Sequence, residues 1–189
     1  GVVTRLTVTV AGTQHGKIDV TDAETPGALV RLTWSTLSMV FTSAEQVQHL
    51  LGFFGMCRAG QMGMADLQQL PGIGSDPGGL RHNIVWTRTP MAAVTRETWQ
   101  HPVTQKVWPV LALEISPIVV YIMDRTALAS MIGDLIATHR LAVATFPDGA
   151  AFRDNPLAQS WKPKPEHHMR TIGSGFITQK HRTEPGQLL

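Results

Sequence analysis

Arg81, His82, Arg88, Arg96, His101 and Lys106 fall in one stretch that holds a single acid, Glu97, and three indoles, Trp86, Trp99 and Trp108. Basic and aromatic residues interleaved on strands suit single-stranded nucleic acid, because cations follow the phosphates while indoles stack on bases. On this reading Arg81, Trp86, Arg88, Arg96, Trp99 and Lys106 form a binding face. The competing reading of the same residues is plainer: the indoles face a core and the cations solvate the outside.

Other chemistries find less support. His167 and His168 are adjacent and His181 lies further on, but no spacing resembles a zinc-binding motif, so no metal or other cofactor is expected. Ser, His and Asp all occur without a G-x-S-x-G elbow. Glu114 is the one acid in the apolar run VLALEIS, and is read as exposed on an alternating strand rather than as a buried catalytic acid. The run PGIGSDPGG has neither a strand leading into it nor a helix after it, so it is a surface loop and not a phosphate cradle. Cys57, the single cysteine, cannot form an internal disulfide; it lies in the apolar run FFGMCRAG and is read as a buried thiol. A lone thiol suits a reducing compartment. No catalytic residue is assigned, and the chain is expected to be non-enzymatic.

The elements that would carry these residues show in the apolar periodicity. VVTRLTVTV alternates as a half-buried strand, and KIDV is a short strand. ALVRLTWSTLSMVFT is too long for one flat strand and is expected to break near Ser35 and Thr36. A helix follows, with capping spacing at Thr42/Glu45 and again at Ser43/Gln46, and with Val47, Leu50, Leu51 and Phe54 as its apolar stripe. Residues 61–82 read as a linker. NIVWTR, AAVTRETW, KVWPVLALEIS and IVVYIM then read as four more strands. Asp124 caps a second helix whose apolar face is Leu128, Met131, Ile132, Leu135 and Ile136.

Shifting the chain by 82 positions lays the first strand-to-helix junction, SMVFTSAEQVQHLLGFF, on the second, IVVYIMDRTALASMIGDLI. The expected fold is therefore α+β: two antiparallel sheets of about four strands, each followed by a helix. The domain covers 1–146, as halves 1–60 and 83–146. This organisation resembles the Whirly family of plant organelle single-stranded-DNA-binding proteins, the kinetoplastid mitochondrial guide-RNA-binding proteins, and the related PUR repeat. The resemblance implies binding of single strands on a sheet surface and oligomerisation through helices, and it makes the mitochondrial matrix the compartment to consider. The lysine- and glycine-containing signature of plant Whirly proteins is absent, so no family residue is carried over.

Residues 147–189 change character, with Pro147, Pro156, Pro163, Pro165 and Pro185 breaking any regular period. They read as an extended arm. Trp161 and Phe176 are its expected anchors, buried against another subunit or a distant part of the body, and KPKPEHH is expected to stay near solvent or phosphate. Residues 1–146 carry ten basic and ten acidic residues, so the formal charge of +2 belongs entirely to the arm. No apolar run is long enough to suggest a membrane span, and the N-terminal GVVTRLTVTV lacks the pattern of a signal peptide. The absence of an initiator Met fits a processed terminus, Met excision or a cloning boundary equally. The function expected is single-stranded nucleic-acid binding, RNA favoured, in an oligomer or ribonucleoprotein. The alternative is a structural subunit of a large assembly that docks through the arm.

Overall fold

The computed structural model describes residues 4–68, 81–101 and 103–158, and the backbone of a strand at 179–183. The fold is α+β, and the expected strands and helices are found in order. The first unit holds β1 (Leu6–Val10), β2 (Lys17–Thr21), β3 (Leu29–Trp34), β4 (Leu37–Phe41) and α1 (Ala44–Gly60). The second holds β5 (His82–Val85), β6 (Ala93–Gln100), β7 (Val107–Ile115), β8 (Ile118–Ile122) and α2 (Arg125–Thr145). A last strand, β9 (Gln179–Thr183), comes from the region read as an arm.

The long apolar run does break at Ser35 and Thr36. Trp34 faces Leu37, so the two residues between them close a tight hairpin, with Ser35 at φ 49°. Within each unit the last three strands are antiparallel, as expected. The first strand of each unit departs from that pattern by leaving its own unit. β1 joins the second sheet, parallel to β8, in register Leu6 with Ile118. β5 joins the first sheet, parallel to β4, in register His82 with Leu37. The sheets are thus β2-β3-β4-β5 and β1-β8-β7-β6-β9.

The helices are exchanged as well. α1 packs mainly on β6 and β7 and touches its own β4, α2 packs mainly on β3 and also on β2 and its own β8, and the two helices pack on each other. They lie between the sheets and share one core with both. Val47, Leu50, Leu51 and Phe54 of α1 are buried there with Leu128, Met131, Ile132 and Leu135 of α2. Each such side chain contributes roughly 1.5–3 kcal/mol through burial. By length and composition α2 is apolar enough to cross a bilayer, but this apolar stripe is core.

Those two stripes correspond at an offset of 81, not 82. The difference lies in the cap. Ser43 is the N-cap of α1 and accepts from the Gln46 amide, while the Gln46 side chain accepts from the Thr42 amide at 2.9 Å. Ser43 therefore matches Asp124, whose carboxylate accepts from the Ala127 amide at 2.7 Å.

The segment after each helix caps the other helix. Behind α1, the Ala65 and Asp66 carbonyls accept from the Arg125 and Thr126 amides, and Asp124 accepts from the Gln68 amide at 2.9 Å. Behind α2, the Asp148 carboxylate accepts from the Ala44 and Glu45 amides at 3.0 and 3.1 Å. A carboxylate on exposed amides at a helix N-terminus is favoured by both hydrogen bonding and the helix dipole. The boundary expected at 147 is corrected accordingly. Residues 147–158 belong to the fold, because Gln48 donates to the Phe152 and Asp154 carbonyls and Leu157 fills the space beside Gly55. Trp161, Phe176 and KPKPEHH lie outside the described residues.

Candidate nucleic-acid interface

The structure scatters the six residues of the expected binding face. Trp86 is buried in the main core; its carbonyl accepts from Gln46 Nε2 at 3.2 Å and its indole nitrogen has no partner among the described residues. Trp99 is also buried, with its ring centroid 4.5 Å from that of Trp108. These two indoles form a small second cluster with Val110 and Met123. Arg96 lies on the face of β6 opposite to Trp99 by strand alternation, and its guanidinium donates to the Met62 carbonyl at 2.6 Å. Only Arg81, Arg88 and Lys106 are exposed. Arg81 and Arg88 flank β5, whereas Lys106 sits in the β6–β7 loop, on the other sheet. The plainer reading of the indoles, that they face apolar surroundings, is what the structure shows.

The remaining candidates resolve simply. Glu114 is half-exposed and pairs with Arg5 at 3.5 Å on the surface of β7. Cys57 is fully buried, and desolvation pushes its thiol up to about 12, so it is not a nucleophile at neutral pH. Among the described residues no cluster of His, Cys, Asp or Glu could hold a metal ion.

Since the inner faces of both sheets are filled by helices, the outer faces are what a ligand could reach. They differ sharply. On the β1-β8-β7-β6 sheet, alternation turns Trp99, Glu97, Trp108, Val110, Ala112, Val119 and Met123 outward, and these are shielded from solvent, whereas Glu114 is half-exposed and Thr7 and Thr9 of β1 are exposed on the same face. On the β2-β3-β4-β5 sheet the outward residues are Lys17, Asp19, Arg31, Thr33, Ser38, Val40, Asn83 and Val85. There Lys17, Arg31, Asn83 and Val85 are exposed, and Thr33 and Ser38 are half-exposed with their hydroxyls 3.2 Å apart. Arg81 continues the alternation of Asn83 and Val85 one step before β5. This open face thus carries Lys17, Arg31 and Arg81 against one acid, Asp19, which pairs with Lys17 at 3.1 Å.

Lys17, Arg31, Thr33, Ser38 and Asn83 were not singled out from the sequence. The signal was available. A two-residue turn at Ser35 and Thr36 fixes Thr33 opposite Ser38, and alternation then fixes every outward residue of that hairpin.

No family model, curated protein or solved structure matches this chain.

Proposed function

We propose that the chain is a non-enzymatic, single-stranded nucleic-acid-binding protein, with RNA favoured, and that the strand lies on the outer face of the β2-β3-β4-β5 sheet. The observation that carries this is the asymmetry of the two outer faces. One has a shielded apolar centre built on Trp99, Trp108, Val110 and Met123 and pairs its exposed Arg5 with Glu114; the other displays Lys17, Arg31 and Arg81 against one acid, with a row of hydroxyl and amide groups. The repeated strand-to-helix pattern of the sequence, read above as resembling Whirly and PUR proteins, is consistent with it. Among the described residues no aromatic side chain is on the open face, so the contacts are to phosphate and sugar, and discrimination between base sequences is weak.

The test is titration of the full chain with a labelled single-stranded oligonucleotide over a range of salt. Three phosphate-directed cations predict a log–log salt slope near −2, at about −0.7 per cation for single strands. Arg31→Ala and Arg81→Ala should each weaken binding and reduce that slope. Trp86→Phe should leave it unchanged. An absence of binding by the unaltered protein at low salt would sink the reading. The alternative, a structural subunit of a larger assembly, would then stand.

A further inference from the structure

The two units differ at one place that their shared plan does not explain. In the first, the β2–β3 hairpin ends its pairing at Thr21 with Leu29. The equivalent rung in the second is Glu97 with Val110, yet there the pairing runs on through Thr98 with Pro109, Trp99 with Trp108 and Gln100 with Val107. This extension carries the paired indoles, and His101 stands edge-on to Trp99 at 5.7 Å.

The extension is also where β9 lies. Gln179–Thr183 runs parallel to Arg96–Gln100, one residue to one. Its register places Lys180 beside Glu97 and Arg182 beside Trp99. Glu97 is only 5% exposed, and a buried carboxylate is costly unless a cation or several donors answer it. Trp99 offers the next residue along that face a ring suited to a cation. The corresponding residue of β2, Thr21, is exposed and uncharged, and no described strand pairs with the free edge of β2. Tether length does not force the contact, since the residues between 158 and 179 would span about 65 Å if extended. The edge must do the selecting.

We propose that the outer edge of β6 is a docking site for an extended basic strand, that Glu97 selects the cation at its centre, and that the chain's own Gln179–Thr183 is the resident occupant. Backbone pairing supplies the attachment, as in other strand additions, and the acid and the indole supply the choice of sequence. This goes beyond the nucleic-acid reading and does not depend on it.

The test uses the full-length protein without nucleic acid. Trypsin cuts after Lys and Arg, so cleavage at Arg182 reports release of the strand, while amide exchange in α1 reports the integrity of the body. Docking predicts slow cleavage in the unaltered chain. Glu97→Lys and Lys180→Glu should each speed it by about tenfold or more, because each sets like charges on directly paired residues. The double exchange of the two charges should restore protection. Should Glu97→Lys disturb the body, Lys180→Glu alone still decides, since it changes only the docked strand. Cleavage at Arg182 that is equally fast in all four proteins, or a double exchange as fast as the single changes, overturns the selection by Glu97. Protection that disappears on dilution would mean that the strand comes from a second copy, which overturns residence within one chain.

Discussion

The indole nitrogen of Trp34, at the end of β3, donates to the carboxylate of Asp134 in the middle of α2 at 2.7 Å. The same oxygen accepts from the Gly16 amide at 2.8 Å, just before β2. One side chain therefore fixes the second unit's helix to two strands of the first unit's sheet. The contact arises from the exchange of helices, since α2 packs mainly on β3 of the other unit, with β2 and its own β8 beside it.

Asp134→Ala would leave the Trp34 nitrogen buried without an acceptor. We predict a loss of about 3 kcal/mol in urea unfolding, the scale for two hydrogen bonds to a charged acceptor. Asp134→Asn keeps an oxygen at the site and should cost less than half of that. Gly16→Ala should also destabilise, because its Cβ would come within 2.7 Å of the Asp134 carboxyl and 2.9 Å of Leu32. Equal stability of Asp134→Ala and the unaltered protein would show that this tie contributes nothing.

Truncation separates the folded cap from the residues beyond it. A chain ending at Phe146 lacks Asp148, so the Ala44 and Glu45 amides lose their acceptor and Gln48 loses both of its carbonyls. A chain ending at Ala158 keeps them all. We predict that the shorter chain melts clearly below the chain ending at Ala158, and a cost of ~1 kcal/mol for Asp148→Ala alone in the full chain. Identical melting of the two truncated chains would contradict the capping role.

Much of this fold was legible because periodicity reports which face of an element is apolar. The strands, both helices and the bend at Ser35 come from that signal. Periodicity does not report neighbours, however. Leu6 alternates as a strand residue whichever strand it pairs with, and its partner, Ile118, lies at the far end of the other unit. The exchange of β1 and β5 was therefore invisible, and so was the exchange of the helices. The candidate site failed for a related reason. Trp86, Arg96 and Trp99 are close in sequence, but Trp86 sits past the end of β5 in the core, and Arg96 and Trp99 point to opposite faces of β6. Clustering in sequence is not clustering on a face, and the open face draws on four strands from two units.

Cys57 offers a reporter of global unfolding. It is buried on α1 and its thiol is pushed up to about 12 by desolvation, so almost no thiolate exists at pH 8. We predict that a thiol reagent labels the native protein only at the rate at which the helix layer opens. Labelling should accelerate across the same urea range as the loss of tryptophan signal. Rapid labelling of the native protein would show that α1 is not held between the sheets as described.

His139 sets the final prediction. It is buried on α2, and its Nε2 lies 2.7 Å from the Phe152 carbonyl, which also accepts from Gln48. A neutral ring with its proton on Nε2 donates to that oxygen. Desolvation lowers the histidine's pKa from its ordinary value of 6.5, opposed by the bond to Phe152. Well above 6.5 neither folded nor unfolded chain is protonated here, and the group leaves stability unchanged. As pH falls through 6.5 the unfolded chain takes up a proton that the folded chain refuses, so stability declines until the lowered native value is reached. We expect the Tm of the unaltered protein to drop between pH 7.5 and pH 5. His139→Gln, which can donate to Phe152 without titrating, should show a smaller drop over that range and little difference at pH 7.5. If the two proteins lose stability in parallel on acidification, His139 is not the group responsible, and the packing of residues 147–158 on α2 is not sensitive to its charge.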